Sequence, residues 1–96
     1  MRYDLSCRYD SRQSFYGKAQ VETTRTSIGQ TIDLYSYGTL VASIVDDFNT
    51  MKREYIYNGK YSQTTTRHQK EFFKQHDLSD KQIKELFKEG TLTIEL

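Results

Sequence analysis

Residues 51–73 read MKREYIYNGKYSQTTTRHQKEFF, and the period of the pattern changes inside them. Up to Tyr57 the residues read as an extended strand, and Asn58-Gly59 is a strong turn signal. From Thr66 to His76 the chain fits 100° steps around a helix. Arg67, Lys70, Glu71 and Lys74 fall on one side of that helix, and His68, Phe72, Phe73 and His76 fall on the other. Strands are therefore expected before this point and helices after it.

Working towards the N-terminus, RYDLSCRY (2–9) alternates, with Tyr3, Leu5, Cys7 and Tyr9 on one face, and reads as a half-buried strand. FYGKAQVETT (15–24) alternates again, with Gly17 as a bulge or close backbone approach. TIDLYSYGTLVASIV (31–45) is β-branched and aromatic, interrupted at Gly38 by a bulge or turn. Towards the C-terminus, LSDKQIKELFKEG (78–90) predicts a second helix. Ser79 and Gln82 form a capping box, Leu78 and Ile83 a hydrophobic staple, Lys81 and Glu85 an ion pair, and Gly90 the C-terminal stop. TLTIEL (91–96) closes the chain as a strand with Leu92, Ile94 and Leu96 inward. The expected fold is α+β in one domain, residues 1–96. It is an antiparallel sheet of about four to five strands, then two short amphipathic helices and a C-terminal strand.

Ninety-six residues bury one modest core. Leu, Ile, Val and Phe supply only 21 of them, and the eight Tyr and five Phe make up area that aliphatics would otherwise give. One cysteine, Cys7, excludes an intrachain disulfide and reads as an inert buried thiol. Charged residues through the first fifteen positions exclude a signal-peptide apolar stretch, and no run is long enough to span a bilayer. The expectation is a cytoplasmic protein without a membrane partner. A net charge of +1 argues against both a mimic of DNA and a broad electrostatic DNA binder. The charge is uneven, however: residues 51–76 hold six Lys or Arg against two acids.

The run Thr64-Thr65-Thr66-Arg67 admits two readings: an anion site at a helix N-terminus, or a helix cap provided by Thr64 or Thr65. The cap is preferred, because every helix needs its first turn satisfied. His68 reads as a buried, hydrogen-bonded histidine rather than half of a catalytic pair, since neither a glycine-rich elbow nor an orienting group accompanies it. His76, Asp77 and Asp80 lack metal-ligand spacing, and Asp46-Asp47 reads as a hairpin loop. No enzyme, no cofactor and no metal is expected. Tyr55, Tyr57 and Tyr61 beside Arg53, Lys60 and Arg67 suit base stacking, a protein contact, or a sheet face covered by the first helix. The residues assigned to partner contact are Arg53, Tyr55, Tyr57, Lys60, Arg67, Lys70 and Lys74.

Three blocks, YDSRQSFYGKAQV (9–21), LYSYGTLVASI (34–44) and YSQTTTRHQKEFFKQ (61–75), resemble a family of small proteins of unknown function common in phages and mobile elements of Gram-positive bacteria. The resemblance implies a phage context and no activity. Small phage proteins of this kind often bind a host protein, inhibitors of bacterial immunity among them. The first functional expectation is thus a non-enzymatic inhibitor of a host defence protein, a type II CRISPR effector nuclease. The alternative is a nucleic-acid-binding accessory protein that uses the basic, Tyr-rich block 51–76. A homodimer is compatible with either.

Overall fold

The computed structural model describes all residues from Met1 to Leu96. Six strands form one antiparallel sheet in chain order: β1 (Arg2–Asp4), β2 (Ala19–Thr26), β3 (Gly29–Ser36), β4 (Thr39–Asp47), β5 (Lys52–Tyr57) and β6 (Thr91–Glu95). Two helices, α1 (Gln63–Gln75) and α2 (Asp80–Glu89), lie between β5 and β6 in sequence and cover one face of the sheet. The α+β class and the segregated order of strands and helices follow the sequence reading.

The core is the helix-facing side of the strands. Val21, Leu34 and Ala42 align across β2, β3 and β4, and Ile32, Ile44, Tyr55 and Leu92 align across β3 to β6. Phe72 and Phe73 from α1 and Ile83 and Leu86 from α2 close over them, all buried. Removing this apolar area from water is the main favourable term of the fold.

Several boundaries differ from expectation for identifiable reasons. β1 is three residues long, not eight, because its partner β2 begins only at Ala19, directly after a turn at Tyr16-Gly17. Leu5 N–H makes the last bond, to Ala19 O at 2.9 Å, and the chain then leaves the sheet. Leu5 is buried, but Tyr3 and Tyr9 are exposed. The loop is held instead by buried Glu71 of α1, whose Oε1 accepts the N–H groups of Tyr9 and Asp10 at 2.9 and 2.8 Å. Gly17 and Gly38 are turn residues. The one register shift in the β3–β4 pair lies at Leu34/Tyr35, opposite Leu40 and Ala42, and leaves Val41 as the extra residue. Asn58-Gly59 makes no hairpin: Asn58 N–H bonds Val41 O and the chain turns into α1.

α1 starts three residues before the expected Thr66. Ser62 is its cap, its Oγ accepting Thr65 N–H at 3.1 Å, so the three threonines lie inside the first turn. In α2 the capping box of Ser79 and Gln82 is present in both directions, and Gly90 ends the helix with φ 87°. Lys81 and Glu85 do not pair; Asp80 takes Lys74 at 2.9 Å instead. Leu92 and Ile94 pack against the core, whereas Leu96 is largely exposed.

Candidate binding surface

The corner where β3 meets α1 concentrates the polar chemistry that the sequence singled out. Ser36 Oγ lies 2.9 Å from Thr65 Oγ1 and 2.8 Å from His68 Nδ1, and all three residues are buried. Phe15 sets its ring edge-on to the imidazole at 4.5 Å, and the Tyr37 ring tilts against it at 5.9 Å. Burial holds the His68 pKa below the ordinary histidine value, so the ring is neutral at pH 7. A serine and a histidine in hydrogen-bond contact suggest nucleophilic chemistry, but this serine is 2% exposed and its hydroxyl is shared between two interior groups. The cluster joins strand to helix.

The contact residues assigned from sequence divide into two groups. Arg53 turns inward and grips buried Asp46 through two bonds, Nε to Oδ1 at 2.6 Å and Nη2 to Oδ2 at 2.9 Å. Gln30 donates to the same carboxylate at 2.7 Å. The guanidinium bond holds the Asp46 pKa below the usual carboxylate range, and the carboxylate raises that of Arg53 in return. Tyr55 is fully buried and its hydroxyl donates to His76 O at 2.6 Å. Tyr57 stacks on Phe87 with ring centroids 4.2 Å apart. The assignment to partner contact is therefore corrected for Tyr55, which is fully buried, whereas Arg53 and Tyr57 are partly buried with their side chains engaged inside. All three lie on the strand face that the helices cover, and their side chains are spent on the interior.

Lys60, Arg67, Lys70 and Lys74 do reach the surface. Arg67 approaches Asp10 at 3.5 Å, and with Lys70, Lys74, Tyr9 and Glu71 these residues edge a shallow groove of about 100 Å³. Lys60 and Lys70 have no carboxylate at ion-pair distance. His76, Asp77 and Asp80 do not converge, and no group of three His, Cys, Asp or Glu side chains comes together to hold a metal ion. Nδ1 of His76 bonds Phe72 O at 3.0 Å. Cys7 is partly buried against the core, and burial pushes its thiol pKa up, away from reactivity.

The exposed tyrosines are mostly others. Tyr16, Tyr37 and Tyr61 are 76%, 57% and 49% exposed. Tyr16 and Tyr37 each precede a glycine in a tight turn, with φ 53° and 52°. A hollow of about 360 Å³ beside them is lined by Gly17, Lys18, Gln20, Tyr35, Tyr37 and Gly38. The signal for this surface was in the repeated Tyr-Gly of SFYGKA and YSYGT, where a bulky residue occupies a position that normally takes Asn, Asp or Gly.

A two-layer α+β domain is thus defined, with its Ser–His and Arg–Asp chemistry inside and Lys60, Lys70, Tyr16, Tyr37 and Tyr61 outside. A family model matches residues 3–89, and the chain belongs to that family, described as a family of unknown function, DUF8033. No curated protein and no solved structure matches the chain. No helix is long and apolar enough to cross a membrane.

Proposed function

We propose that this protein is a non-enzymatic binding protein that acts by docking on a host protein. In the narrower form suggested by the phage-like resemblance, it inhibits a defence nuclease of the type II CRISPR effector class. The observation that carries the proposal is the division of side chains. Ser36 and His68, and Asp46 with Arg53, are consumed in internal hydrogen bonds. Lys60, Arg67 and Lys70, with Tyr16, Tyr37 and Tyr61, stay on the surface. Tyr and Arg are the side chains most often found at the energetic centre of protein interfaces. Co-purification with candidate effector nucleases and a DNA-cleavage assay test it. A stable complex with loss of cleavage is expected, and full cleavage without a complex removes this reading.

A nucleic-acid accessory role has one supporting observation, the cationic edge of α1. Of the tyrosines assigned to stacking, only Tyr61 stays exposed, since Tyr55 is fully buried and the Tyr57 ring lies on Phe87. Under this reading oligonucleotide affinity falls steeply with salt, and Lys70→Ala flattens that slope. The absence of any gel shift at low salt excludes it.

A further inference from the structure

We infer that the Tyr16-Gly17 and Tyr37-Gly38 turns, together with Tyr61, form the aromatic centre of a docking surface for an acidic segment of a partner protein. The inference rests on the protein-binding reading and names the place and chemistry of the contact.

The backbone gives the first reason. Both tyrosines sit at positive φ, 53° and 52°, where a side chain with a Cβ is uncommon and a bulky ring more so. The adjoining glycines also have positive φ, 74° and 82°, so each turn has the pattern for which Asn-Gly is the favoured pair. A tyrosine held there against local preference needs a return. Little of it is found inside the molecule: the Tyr16 ring is three-quarters exposed, and only its backbone N–H is engaged, with Ser14 Oγ at 2.9 Å. Tyr37 shields one side of His68 and leaves more than half of its surface in water. Unfavourable conformations kept at exposed side chains point to a use outside the fold.

Position gives the second reason. Tyr37 N–H donates to Lys18 O at 2.8 Å, which sets the two turns side by side. The bonds from Ser62 to Thr65 and from Thr65 to Ser36 bring the residue after Tyr61 to the same corner. Leu40, 38% exposed, lies beside it, its carbonyl accepting the Asn58 amide. The three tyrosines therefore belong to segments that meet at one end of the molecule, where Tyr37 and the Gly17 and Gly38 of both turns line the 360 Å³ hollow.

Charge selects the partner. Lys18 and Lys60 border this end and have no carboxylate at ion-pair distance, and Arg67 adds a third cation. Two carboxylates come near this end and both are engaged: Asp10 by Arg67 and by the Arg12 N–H, and Asp4 by the amide of Gln20 at 3.3 Å. Three cations with phenolic O–H donors complement a short run of Asp or Glu. A nucleic-acid strand suits it less. Its regular phosphates would continue towards the uncovered sheet face, where Asp4, Glu22, Asp33 and Glu54 stand with Arg2 already stacked on Tyr35 at 4.4 Å.

The test is an amide NMR titration of the full chain with two probes, an Asp/Glu-rich peptide of about twelve residues and a thymidylate oligonucleotide of the same length. The peptide should move the signals of Tyr16 to Lys18, Tyr37 to Leu40 and Lys60 to Arg67. The double variant Tyr16→Asn, Tyr37→Asn supplies residues suited to positive φ, so its melting temperature should match or exceed that of the parent. Its affinity for the peptide should nevertheless fall by about tenfold or more. Unmoved signals, signals moving elsewhere, or equal affinity of the double variant each overturn the inference. Tighter binding of the oligonucleotide at these residues reassigns the surface to nucleic acid and also overturns it. If a host nuclease is captured equally by parent and double variant, the protein-binding reading stands and this placement of the contact falls.

Discussion

Glu71 reaches across sixty-two residues of sequence to hold the backbone of Tyr9. Its other oxygen accepts from Gln75 Nε2 at 2.6 Å, and that same amide donates to Ser6 O at 2.7 Å. Removing the carboxylate takes away the one protein acceptor of two part-buried backbone N–H groups. Glu71→Ala is therefore expected to cost about 1–3 kcal/mol in urea denaturation, a value typical of stranded donors. The histidines set the pH dependence. Burial depresses the pKa of both His68 and His76 in the folded chain. Below the ordinary histidine value of 6.5 the unfolded chain binds more protons than the folded one, so stability falls as pH drops from about 6.5 towards 5. Asp46, with its lowered pKa, adds a second loss only at more acidic pH, below the ordinary carboxylate value of 3.8. Melting temperatures across this range should show the first decline, and His68→Gln should make it shallower. A flat profile between pH 7 and 5 contradicts the assignment.

The two helices differ in how much of them the sequence disclosed. Every signal that places α2 is local: its cap, its box partner, its staple and its terminal glycine lie within thirteen residues of one another. The start of α1 was less legible. Thr64, Thr65 and Thr66 have weak helix propensity and look like a strand end, and the serine that caps them stands one residue before the helix. Ser62→Ala should cost about 0.5–2 kcal/mol by thermal or urea denaturation, and exposed-side Thr64→Ala much less. Equal losses for the two would move the cap back to the threonines. β5 taught a similar lesson about the site. Arg53, Tyr55 and Tyr57 alternate with Lys52, Glu54 and Ile56, and both sets mix charge with apolar area. Nothing in that alternation says which set a distant helix will cover. Likewise the early end of β1 depends on where β2 begins and on Glu71, neither of which the first nine residues contain.

At the scale of the molecule, β3 and β4 form the centre of a sheet whose edges are β1 and β6. Hydrogen exchange should follow that order. Amides of Ile32 to Leu34 and Ala42 to Ile44 are expected to be the slowest, and those of β1 and the loop 6–14 the fastest to open. Measured protection that peaks in β1 or β6 would disprove this ranking. The segregation of charge belongs to this scale as well. A chain of net charge +1 still presents lysines at the α1 edge and a stripe of Asp and Glu on the uncovered sheet face. Net charge therefore understated what either surface can attract.

Both helices and the last strand follow a sheet whose first five strands are already contiguous in sequence. On a ribosome, the strands carrying Val21, Leu34, Ile44 and Tyr55 emerge before anything able to shelter them. Their apolar side waits in water, or on a chaperone, until Phe72 and Phe73 leave the exit tunnel. A chain cut after Asn58 keeps that apolar side uncovered for good and should accordingly aggregate more readily than the full chain.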